Sequence, residues 1–137
     1  MKNKIAIYTR GNSPEKLENN KRIINSILEA NNFLNDNNIV TYYEDIGYSG
    51  TDDHRPDLES LILAIENMEV DILIIPKLET LSRNFLFLEF KMFPTLIDFG
   101  VDVFTINGKE NIKEKMLPND VLMEIMQEKY GGFENEM

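Results

Sequence analysis

The chain has 137 residues, 42% of them hydrophobic, with no cysteine, no tryptophan and a formal net charge of −10; this length encloses one core and is too short for two. The missing cysteines exclude disulfides, thiolate metal sites and a cysteine nucleophile, and no apolar run approaches the roughly 18 residues of a membrane span. With 24 acidic residues against 14 basic ones the chain has no overall field to hold a polyanion, so any nucleic-acid contact needs a small focused patch or something outside the chain.

The N-terminal Met1-Lys2-Asn3-Lys4 leads straight into an apolar run, without the pattern of a secretory leader. Four such runs start at Ile5, Ile39, Val70 and Val101, spaced 34, 31 and 31 residues apart, close to the ~30 residues of a strand–helix–strand unit. Between the first two, Leu17, Ile24, Ile27, Leu28 and Leu34 make a loose helical stripe. After the second, Arg55-Pro56-Asp57 opens a helix carried by Leu58, Leu61, Ile62, Ile65 and Met68 at 3/4 spacing, with proline suited to a first turn. Val70 to Ile75 is almost wholly apolar, as in a parallel strand covered on both faces. Asn84 to Phe99 reads as a helix that Pro94 kinks or interrupts and Gly100 closes. Val101 to Ile106 alternates like an edge or half-covered strand, and a last helix spans Asn119 to Tyr130 with Val121, Leu122, Ile125 and Met126 on one face. The expected fold is a three-layer α/β domain with a largely parallel sheet of four to five strands and helices on both faces.

In such sheets ligands sit at the carboxyl ends of the strands. Those ends carry Tyr8-Thr9-Arg10-Gly11-Asn12-Ser13, then Asp45-Ile46-Gly47-Tyr48-Ser49-Gly50 with Arg55, then Lys77-Leu78-Glu79-Thr80-Leu81-Ser82-Arg83-Asn84. Three of only four arginines, Arg10, Arg55 and Arg83, fall at this one edge together with Lys77, while Arg22 lies on a helix. Convergent guanidinium groups suit a phosphate, gripped in a planar bidentate way; the alternative is that they pair with Asp45, Asp52, Asp53 and Glu79. The lone His54 and the acids Asp52 and Asp53 read as a solvated loop, Ser49 and Ser82 as turn or capping residues, and Met123 and Met126 as core or dimer seam. No metal site and no glycine-rich phosphate loop is evident.

These four blocks, Ile5 to Arg10, Asp45 to Gly50, Arg55 to Leu58 and Lys77 to Asn84, resemble in order and spacing the catalytic domain of the serine recombinases, the resolvase/invertase family that includes large serine integrases and transposon recombinases. The resemblance covers about residues 4 to 107. It implies site-specific DNA recombination: a serine attacks a phosphodiester, a covalent phosphoserine link forms, strands are exchanged in a tetramer, and no metal or cofactor takes part. It places Arg10, Arg55 and Arg83 around the phosphate, with Lys77 beside them, Asp45 orienting the arginines, and Tyr8 and Glu79 within the same site.

Two positions depart from that pattern. The nucleophile position, two after Arg10, is Asn12, whose amide cannot form the covalent link. Ser13 is the neighbouring candidate, held in extended geometry by Pro14. An expected Asp-Arg pair appears as Glu79-Thr80, so one guanidinium is missing. The expectation is therefore a recombinase catalytic domain with a degraded active site, or else a non-catalytic homologue acting by oligomerisation or by DNA association with a partner. Residues 1–108 would form the resolvase-like domain, and residues 109–137 a linker and amphipathic helix able to build a dimer, with no basic DNA-binding region following. DNA is the expected partner only with another domain or subunit, in a homodimer or tetramer, in the cytoplasm.

Overall fold

Five strands, β1 (Asn3–Gly11), β2 (Asn38–Ile46), β3 (Ile72–Ile74), β4 (Asp102–Thr105) and β5 (Gly108–Glu110), form one sheet in the order β2-β1-β3-β4-β5 in the computed structural model, which describes residues 3–47 and 55–130. The first four pair in parallel and β5 returns antiparallel on β4. The long helices are α1 (Pro14–Ala30), α2 (Pro56–Glu66) and, at the C-terminus, α6 (Asn119–Tyr130); three shorter ones are α3 (Phe85–Phe87), α4 (Phe93–Asp98) and α5 (Ile112–Lys115).

Alternation along the central strand builds the layers. Ile5 and Ile7 of β1 pack with Ile72 and Ile74 against Ile24, Ile27 and Leu28 of α1. Ala6 and Tyr8 point the other way, into a cluster with Leu58, Leu61 and Ile65 of α2 and Phe93 and Leu96 of α4. Because β1 is covered on both faces, Ile5 through Thr9 are all buried, the pattern of an interior parallel strand.

Three sequence expectations shift or sharpen. The stripe expected to carry a helix as far as Leu34 stops at Ala30, and Leu34 is exposed beyond it. The run from Val101 is not an edge, because β5 covers it through a two-residue turn closed by Gly108 at φ +96°. The helix over 84–99, expected to be kinked or interrupted at Pro94, is interrupted just before it, as α3, a π-helical turn over Leu88–Met92, and α4 with Pro94 in its first turn. Proline has no N–H to continue the α ladder, and the wider turn absorbs the mismatch. Gly100, at φ +66°, closes α4 as expected. In α6, Leu122 is buried while Val121 and Met123 are exposed. The readings of Ser49, Asp52, Asp53 and His54 lie outside the described residues. No helix among the described residues is long and apolar enough to cross a membrane.

Candidate active site

The carboxyl ends of β1 and β2 lie side by side, with Arg10 opposite Asp45 in the pairing register. Asp45 is buried and accepts three hydrogen bonds: from the Tyr8 hydroxyl at 2.7 Å, from the Asp57 amide at 2.9 Å and from the Leu58 amide at 3.0 Å. It thus caps the first turn of α2 from a neighbouring strand. Asp57 answers from that turn, its carboxylate accepting from the Glu44 amide on β2 at 2.8 Å. The resemblance places Asp45 as the residue orienting the arginines; these bonds go to Tyr8, which lies against the Arg55 guanidinium, and to α2, which Arg55 opens.

Arg55, one residue before α2, is fully buried. Its guanidinium carbon lies 5.6 Å from the centre of the Tyr8 ring, and one terminal nitrogen donates to the Thr80 carbonyl at 3.0 Å. Nε and the other terminal nitrogen have no hydrogen-bond partner. Thr80, where the resemblance led us to expect an arginine, therefore contributes its backbone to the site. Burial pushes the Tyr8 hydroxyl far above its ordinary range, and its bond to the Asp45 carboxylate pushes it further, so Tyr8 is a neutral donor.

Arg10 and Arg83 open instead onto a groove of about 340 Å³. Lys77, after β3, lines it from the sheet side, and Lys16, Asn19 and Asn20 line it from one face of α1. Among the described residues no carboxylate lines this groove. Asn20 holds the main chain there, its side-chain amide donating to the Arg10 carbonyl at 3.0 Å. Partial burial depresses the Arg10 guanidinium below its ordinary value, with the positive charges of Arg55 and then Arg83 adding to the shift. Three like charges within mutual reach make a local positive focus in an acidic chain. Of the carboxylates weighed as partners, Glu79 is exposed and pairs with neither Arg55 nor Arg83, and Asp52 and Asp53 lie outside the described residues.

The segment after β1 does not present a nucleophile to this groove. Ser13 is extended (φ −150°, ψ 156°), as its position before Pro14 requires, and its Oγ accepts from the Lys16 amide at 3.2 Å as the N-cap of α1. Asn12 is exposed, and neither residue lines the groove. Lys16 and Asn19 were missed in the sequence. Their signal was the spacing Lys16, Asn19, Asn20, Ile23, one helix face directly after a strand-end loop.

The family model "Resolvase, N terminal domain" matches residues 5–137. The chain belongs to the resolvase family. It is a serine-recombinase catalytic domain by family and by fold. Among solved structures, the resolvase-family chain is similar to the N-terminal catalytic domain of TP901-1 integrase, at 29% identity over 76% of this chain and 77% of that one, with a TM-score of 0.59. A resolvase family site-specific recombinase from Streptococcus pneumoniae shares the fold at 21% identity, over 93% and 89% of the two chains, with a TM-score of 0.68. A serine recombinase from Sulfolobus solfataricus does so at 20% identity, over 95% and 87%, with a TM-score of 0.59. No curated protein matches the chain.

Proposed function

We propose that this resolvase-family domain has a degraded active site: it holds a DNA phosphate in the groove of Arg10 and Arg83, with Arg55, Tyr8 and Asp45 supporting it from beneath, but does not form the phosphoserine link. The observation that carries this reading is Ser13, whose Oγ is committed to capping α1 while Asn12 stands at the nucleophile position. The capping bond from the Lys16 amide occupies one lone pair of that hydroxyl and holds it at the start of α1. The convergence of Arg10, Lys16, Lys77 and Arg83 on one groove supports phosphate binding. Glu79, exposed on the 3₁₀ turn over Leu78–Thr80, takes no part in holding the phosphate.

The chain acts on DNA in a recombinase assembly, as a homodimer or tetramer in the cytoplasm, with most of the DNA affinity supplied by another domain or subunit. Residues 1–108 hold the site and residues 109–137, through α6, contribute to the assembly interface. A nicked suicide duplex carrying the recombination site tests this. No covalent adduct is expected, and inorganic phosphate should shift the NMR resonances of Arg10 and Arg83. An adduct mapped by mass spectrometry to Ser13 and abolished by Ser13→Ala would establish an active recombinase and refute the reading.

A further inference from the structure

Lys16 and Lys77 make no ion pair among the described residues. Lys16 lies in the first turn of α1, where the helix dipole disfavours a cation. Lys77 is exposed just after β3, in the same groove. Ion pairs among the described residues join Lys91 to Glu66, Lys109 to Asp102 and Lys115 to Glu110, and leave both groove lysines unneutralised in a chain with 24 carboxylates. Asn19 lines the groove from the same helix as Lys16, and Asn20 is already committed to the Arg10 carbonyl. Arg10 lies at the end of β1 and Arg83 after the 3₁₀ turn that follows β3, whereas Lys16 comes from α1 and Lys77 from the segment between β3 and that turn, so the groove draws its cations from separate parts of the chain. The groove, at about 340 Å³, is also larger than one tetrahedral oxyanion requires.

We infer that Lys16 and Lys77 form a second phosphate subsite, so that the groove receives two successive phosphates of one DNA strand, the first at Arg10 and Arg83 and the next at the lysines. This rests on the reading that the arginines hold a DNA phosphate. Lys16 supplies positive charge from a helix, in a site where Thr80 offers none.

The test is an NMR titration of the full ¹⁵N-labelled chain with a thymidine dinucleotide, carrying one phosphodiester, and a trinucleotide, carrying two, over a range of KCl concentrations. The wild type should bind the trinucleotide more tightly, with a salt slope steeper by about 0.7, the increment for one further phosphate on a single strand. Lys16→Gln/Lys77→Gln should lose that extra affinity and extra slope, with a spectrum otherwise superimposable on the wild type. Persistence of both in the double variant overturns the second subsite, as does a wild type that binds the two oligonucleotides alike. A wild type that binds neither overturns this inference together with the phosphate reading beneath it. Dinucleotide binding by the wild type therefore tells the two failures apart.

Discussion

Asp45 is the residue on which the site's geometry most depends, and its replacement gives a graded series. It is 3% exposed and accepts from one hydroxyl and two helix amides. Hydrogen bonds to a charged acceptor contribute about 1.5–3 kcal/mol each, and they do not add fully when the donors share one group. Asp45→Ala strands the Tyr8 hydroxyl and both amides at a buried position and should destabilise the fold by about 3–5 kcal/mol, a large share of the ~5–15 kcal/mol of a typical domain. Asp45→Asn keeps the volume and one acceptor oxygen. Donors approach both oxygens, Asp57 at Oδ1 and Tyr8 and Leu58 at Oδ2, so the amide nitrogen must face one of them, at a cost of about 2 kcal/mol. Tyr8→Phe removes one donor and leaves the helix cap intact, costing about 1–2 kcal/mol. Urea denaturation followed by circular dichroism, with linear extrapolation, measures all three. A loss below about 1 kcal/mol for Asp45→Ala, or a larger loss for Tyr8→Phe than for Asp45→Ala, would refute the argument that Asp45 ties β1, β2 and α2 together.

Two further outcomes are expected. The Tyr8 hydroxyl is raised from its ordinary 10.0 by burial and by its bond to Asp45, so the folded state keeps this proton after the unfolded chain has released it; stability is complete below about pH 10 and falls as pH rises above it, by about 1.4 kcal/mol per pH unit from this group. Unfolding free energies from pH 9 to 11 should fall in the wild type by about 1.4 kcal/mol more than in Tyr8→Phe. Met68, just past α2, is 71% exposed and sits at φ +60°, a left-handed conformation that favours glycine. Met68→Gly should therefore raise stability by about 0.5–1 kcal/mol in thermal unfolding, and a loss would show that the methionine side chain makes contacts worth more than the relieved strain.

The periodic segments were legible because their pattern is local. Val70 to Ile75 could only be covered on both faces, and the spacing from Leu58 to Ile65 could only be a helix over one core. Pro14 likewise settled the extended backbone of Ser13. Strand β5 left no such trace: Gly108-Lys109-Glu110 holds no apolar residue and becomes a strand by pairing with β4. The π-helical turn before Pro94 was visible only as a kink or interruption.

For the site, the sequence by itself determined which side chains gather at one sheet edge, since a parallel strand–helix alternation sends every strand's carboxyl end to the same side. It could not distinguish Arg55 from Arg83. Both are arginines at strand-end positions, yet one is sealed under the Tyr8 ring and held by the Thr80 carbonyl, and the other is exposed in the groove. Only the tertiary structure decided that, because burial depends on how the start of α2 is clamped by Asp45 against β2. The same packing brought Lys16 and Asn19 into the groove, through the placement of α1 on the sheet. Composition set the net charge at −10; the fold brought Arg10, Lys16, Lys77 and Arg83 to one groove.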